Sequence, residues 1–214
     1  MRKLFHHHGL SIVMAALFLV CWAAQMVTGH RVYNDEQREH RQPTIGLLAY
    51  LSTGHFLEAT GENWESEFLQ MSAFVWLTSC LFQKGSPESK NPDDPSIDEP
   101  PVTPRSPWPV RRGGWYAAVY ARSLSLALFG MFLCAFALHA AGGAWSYSHQ
   151  QELQGEPPVT VLEYLGTAQF WFESFENWQS EFLSIGVMVV LGIFLRQKGS
   201  PESKPVNTPH SENE

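Results

Sequence analysis

Two stretches of twenty residues, 9–28 and 123–142, contain no Asp, Glu, Lys or Arg and are mostly apolar. A helix of that length crosses the hydrocarbon core of a bilayer, about 30 Å at about 1.5 Å per residue. In hydrocarbon every backbone N–H and C=O needs an internal partner, so these runs are expected to be transmembrane helices. Two shorter apolar blocks, 68–82 and 182–195, reach spanning length if Trp64 and Trp178 mark their interfacial starts. That extension draws Glu67 and Glu181 just inside the outer end of the span.

Displaced by 114 residues, the chain aligns with itself without a gap. Gly29 falls on Gly143, Tyr33 on Tyr147, Gln37 on Gln151, Pro43 on Pro157 and Tyr50 on Tyr164. Identity is densest in ENWxSEFL (62–69 and 176–183) and QKGSPESK (83–90 and 197–204). Such self-similarity marks a duplicated unit. Each copy holds two spans, an even number, so both copies enter from the same side and form a parallel repeat. The expected fold is an all-α membrane protein with four transmembrane helices in two tandem two-helix repeats. Its segments are a first repeat (1–90), a cytoplasmic Pro-rich acidic linker (91–114), a second repeat (115–204) and a disordered tail (205–214). Residues 44–57 and 158–171, too short to cross, are expected as interfacial or shallow re-entrant segments on the outer face. The block at 9–28 also suits a signal peptide, following Arg2 and Lys3, but its recurrence inside the chain favours a retained span.

Of the 14 Lys and Arg, only Arg31, Arg38 and Arg41 fall in loops on one side; the rest flank the opposite ends of the spans. The positive-inside rule then sets both termini and the linker in the cytoplasm. The net charge of −7 argues against nucleic-acid binding, which needs a basic footprint. Cys21, Cys80 and Cys134 all lie in apolar blocks without disulfide or zinc spacing, and read as buried small residues. In QKGSPESK, Lys84 and Lys198 suit a last helical turn, Gly85 and Gly199 a left-handed cap, and Pro87 and Pro201 a stop. A docking or phosphorylation role for Ser86 and Ser200 is the rival account. Small residues Ala127, Gly130, Gly186 and Gly192 are candidates for close helix approach or for homo-oligomer contacts.

The cluster most able to carry chemistry is polar. Glu62, Asn63, Ser66, Glu67 and Gln70 recur at helical spacing, and the second copy supplies Glu176, Asn177, Ser180, Glu181 and Ser184. Both faces are expected to turn inward. A carboxylate in an apolar span is costly and commonly serves a cation or proton, which singles out Glu67 and Glu181. The structural account is that Asn63 and Asn177 are N-caps and the acids favour the first-turn dipole. His139, His30 and His55 near the outer face raise the question of haem, but they do not recur between copies. His6, His7 and His8 suit interfacial solvation better than a metal. No cofactor or metal is expected.

No nucleophile elbow, phosphate loop or HExxH pattern is present, so an enzyme is not expected. On ENWxSEFL, QKGSPESK and the WPVRRGGW stretch at 108–115, the chain resembles a bacterial multi-pass membrane family known only as a domain of unknown function. The resemblance spans nearly the whole chain. It implies a cytoplasmic (inner) membrane location and transfers no activity. The expected role is structural or partner-binding, with lipid and either a second copy or another membrane protein as partners. The alternative is an ion or proton conductor using Glu67 and Glu181.

Overall fold

A computed structural model describes residues 2–91 and 100–211, and among these every regular element is a helix. The order is α1 (Arg2–Glu39), α2 (Leu47–Tyr50), α3 (Gly54–Cys80), α4 (Trp108–Arg112), α5 (Gly114–Tyr120), α6 (Ser123–Leu153), α7 (Val161–Leu165) and α8 (Ala168–Phe194). Three helices are long and apolar enough to cross a membrane: His6–Glu39, Ser123–Leu153 and Ala168–Phe194. α3 is as long as α8, at 27 residues, but is not among those three. It carries Glu58, Glu62, Glu65 and Glu67 in its first half. Helix ends recur at the repeat spacing, since α1 and α6 end, and α3 and α8 begin and end, 114 residues apart.

The described residues form two compact units, 1–61 with 138–170, and 62–137 with 171–214. Each draws on both copies of the repeat. Of the linker expectation at 91–114, residues 92–99 lie outside the described residues, as do 212–214 of the tail.

In the first unit the chain leaves α1 through Arg41, whose φ is +59. Asn34 then clasps the returning strand of chain, accepting from Ile45 N (2.9 Å) and donating to Ile45 O (3.0 Å). Ser148 does the same with Val159 N and O, both at 3.0 Å, at the positions 114 residues on. These clasps aim α2 and α7 inward, so that Tyr50 and Tyr164 are buried. Each phenol lies where a side chain at Gly29 or Gly143 would be: a methyl there would sit 2.3 Å from the Tyr50 oxygen or 2.4 Å from the Tyr164 ring. Within the two segments expected at the interface, α2 and α7 are single helical turns that lead into α3 and α8.

Those long helices start about ten residues before Trp64 and Trp178. Thr53 and Thr167 are the caps, each accepting from the amide three residues on (Phe56 N and Phe170 N, both 3.3 Å). This corrects the expectation that Asn63 and Asn177 cap the helices; both are interior. The backbones of α3 and α6 then come together at glycines. A methyl added at Gly54, Gly61 or Gly142 would lie 2.5 Å from Ser146 N, His139 N or Glu58 N. By contrast, Gly130 and Gly186, expected as approach points, have nothing within 4 Å of an added methyl.

α7 carries a reciprocal cap. Glu163 accepts from Thr160 N (2.7 Å) and Thr160 Oγ1 (2.8 Å), while Thr160 Oγ1 accepts from Glu163 N (3.3 Å). The backbone bond, helped by the hydroxyl, holds the Glu163 carboxyl below its ordinary value of 4.5. A carboxyl lowered by folding stabilises above its unfolded value and loses that contribution as pH falls through the folded one. Amide protection in Val161–Leu165, normalised to α2, which has no side-chain cap, is expected to fall below pH 4.5. Glu163→Gln should abolish that pH dependence in a hydrogen-exchange series.

In the second unit, QKGSPESK is a stapled loop and not a helix cap, because α3 and α8 end at Cys80 and Phe194. The amides of Gln83 and Gln197 donate to Ser89 Oγ (2.8 Å) and Ser203 Oγ (2.9 Å). The amides of Glu88 and Glu202 donate to Ser86 Oγ and Ser200 Oγ, both at 3.2 Å. Gly85 and Gly199 take φ of +85 and +87, the left-handed geometry such a turn needs. Burial pushes the Glu88 carboxyl up, and the Glu202 carboxylate beside it adds to the shift. Ser86 is fully buried, so as a modification site it is closed to a kinase. The tail at 205–211 is drawn back by Lys204 Nζ, which donates to Pro209 O (3.2 Å) and His210 O (3.1 Å). Lys204 is buried, whereas its counterpart Lys90 is exposed.

All three cysteines are exposed, contrary to the expectation of burial. Cys21 and Cys134 lie in α1 and α6, two of the helices apolar enough to cross a membrane, where an outward apolar side chain facing hydrocarbon would carry no penalty.

Candidate functional site

The polar cluster falls in the second unit, where the first turns of ENWxSEFL in α3 and α8 meet. Asn177 Nδ2 donates to Glu62 Oε1 and, within its own helix, to Glu173 O (3.0 Å). One position along, Trp178 Nε1 donates to Glu65 Oε1 at 2.9 Å, and Glu65 is fully buried. The Trp178 ring is held edge-on by Phe175 (centroids 5.4 Å), Phe132 (6.4 Å) and Trp171 (6.5 Å). That packing fixes the direction of the indole N–H.

The remaining members divide by what they bind. Ser66, Ser180 and Ser184 donate to the carbonyls of Asn63 (2.9 Å), Asn177 (2.8 Å) and Glu181 (2.8 Å), three residues back on their own helices. Their hydroxyls are thereby taken by local bonds. Gln70 is buried and, with Ser184, lines a pocket of about 310 Å³ walled by Met71, Phe74, Val75, Ile185 and Met188. Glu67 is exposed and Glu181 half-buried, close enough for their charges to interact. Asn63 and Glu176 are exposed. The structure thus joins Glu62 to Asn177 across the two helices and leaves Asn63, Glu67, Glu176 and Ser180 exposed.

Sequence reasoning missed Glu65. It is the variable position of ENWxSEFL, where the second copy has Gln179, and it lies one helical turn after Glu62. That difference between otherwise matched copies was the available signal. Ser174, one turn before Trp178, was also missed; its hydroxyl is buried and makes no hydrogen bond.

The His30 and His55 rings both pack on the Tyr50 ring, each with centroids 5.8 Å apart. His30 Nε2 lies 2.7 Å from Ile45 O, His55 shares a hydrogen bond with the Tyr50 hydroxyl (3.1 Å), and His139 is buried with its ring stacked on Phe170 (4.7 Å). Among the described residues no three His, Cys, Asp or Glu side chains gather as a metal would require.

Described residues whose regular elements are all helices, three of them apolar enough to cross a bilayer, and with Glu62 and Glu65 hydrogen-bonded to a neighbouring helix, define a class compatible with a membrane protein. More narrowly, the chain belongs to the family described as Domain of unknown function (DUF6766), whose model matches residues 1–214. No curated protein and no solved structure matches it.

Proposed function

We propose that this is a four-span protein of the bacterial cytoplasmic membrane with a non-enzymatic, structural or partner-binding role. In this reading α3 is the fourth span, the two repeats run parallel, and both termini and the linker lie in the cytoplasm. The observation that carries it is the full burial of Glu65 on the Trp178 indole, beside the Glu62–Asn177 bond. A carboxylate that would bar α3 from hydrocarbon is withdrawn onto a neighbouring helix. The surface left outward includes Met71, Trp76 and Leu81, which suits lipid or a second membrane protein. The cluster's hydroxyls are committed to their own helices, which favours helix association over chemistry.

Reporter fusions test the topology. A fusion within the linker at 91–107 should report the cytoplasm, and one in the loop at 154–159 the outer side. Opposite signals would overturn the four-span reading. For the role, purified protein in proteoliposomes should conduct no ion or proton above empty vesicles. Flux that disappears in Glu67→Gln with Glu181→Gln would replace this role with conduction.

A further inference from the structure

We propose that the segment from Pro100 to Arg122 is an anionic-phospholipid recognition element, in which Arg111 and Arg112 take the phosphate headgroup while neighbouring aromatics seat in the interface. This rests on the membrane reading above. Four arginines, Arg105, Arg111, Arg112 and Arg122, occur there without one acidic residue, and all four are exposed. The segment runs directly into the apolar helix α6. It is folded for the task by two glycines. Gly113 (φ +70) and Gly114 (φ +58) adopt left-handed geometry that bends α5 back against α4. Trp108 thereby meets Tyr116 edge-on (5.3 Å), and Trp115 stacks on Tyr116 (3.9 Å). The Arg112 guanidinium lies over both rings, 5.2 Å from Trp108 and 4.4 Å from Tyr116. Stacking engages the face of the guanidinium and leaves its in-plane N–H donors for a phosphate.

Around this cation the surface is amphipathic. Trp108, Trp115, Val119 and Tyr120 are 52%, 66%, 49% and 43% exposed. Tryptophan and tyrosine favour the headgroup level of a bilayer, and arginines at the cytoplasmic end of a span attract anionic lipid. Charge therefore selects one occupant, the phosphodiester headgroup of an acidic phospholipid whose acyl chains lie along α6.

Native mass spectrometry of the detergent-purified full chain, titrated with phosphatidylglycerol or phosphatidylcholine, tests this. Wild type should retain phosphatidylglycerol more tightly. Arg111→Gln with Arg112→Gln should weaken that retention about fivefold per guanidinium removed and leave phosphatidylcholine unchanged. Arg112→Lys should fall between, since charge persists without the planar fork. Equal retention of the two lipids by wild type, or wild-type retention by a double variant with an unchanged unfolding midpoint, would overturn the proposal. If the double variant does not fold, the wild-type lipid comparison and its weakening in high salt decide the matter. Displacement of the lipid by inorganic phosphate at equal concentration would also overturn it, by showing a free-phosphate site. Failure of the membrane reading would look different: the chain would stay dispersed without detergent.

Discussion

Gly142→Val is expected to lower stability by about 3 kcal/mol, the upper range for overpacking a well-fitted interior. The first added carbon would meet Glu58 N at 2.5 Å and the Leu57 carbonyl carbon at 2.8 Å. These are backbone atoms of α3, so no side chain can swing aside. The opposing term is the helical preference of an ordinary residue over glycine, about 0.5–1 kcal/mol, and the clash outweighs it. Gly186→Val supplies the control, since an added methyl there has open space within 4 Å and should cost little or nothing. Unfolding midpoints in a single detergent separate the two. A Gly142→Val protein as stable as wild type would mean that α3 and α6 do not approach as described.

Glu65→Leu is expected to cost about 1–3 kcal/mol, because it leaves the Trp178 indole N–H without the Glu65 acceptor. Glu65→Gln keeps a carbonyl at nearly the same position and should recover most of the loss. The second copy already carries the amide at the matching place, Gln179. Trp178→Phe should resemble Glu65→Leu, and the double variant Glu65→Leu with Trp178→Phe should cost less than the two singles added together. Additive losses in that cycle would show that the two side chains are not coupled.

Much of the helical framework is legible in the sequence. The charge-free runs at 9–28 and 123–142 fall within α1 and α6, and the helix ends repeat at the spacing that the matched motifs define. Less legible are features that depend on what a residue meets across space. Asn63 reads as a cap because it precedes an apolar block, yet the helix already begins after Thr53, whose hydroxyl outcompetes it by lying at a true chain reversal. Gly130 and Gly186 have the same local character as Gly54 and Gly61. Only the crossing of two helices distinguishes them, and the seven-position separation of Gly54 and Gly61 places both on one face at two-turn spacing. In the candidate site, Glu62, Asn177, Glu67 and Glu181 were readable from periodicity. Glu65 was not, because its role depends on an indole in the other copy.

The two QKGSPESK loops share one covalent sequence but not one set of neighbours: Lys204 is enclosed by carbonyls of the tail, and Lys90 faces outward. Duplicated segments with unequal surroundings cannot drift in concert. A change that is silent in the upstream octapeptide will be felt in its downstream twin, so mutational tolerance should be lopsided where the letters are the same.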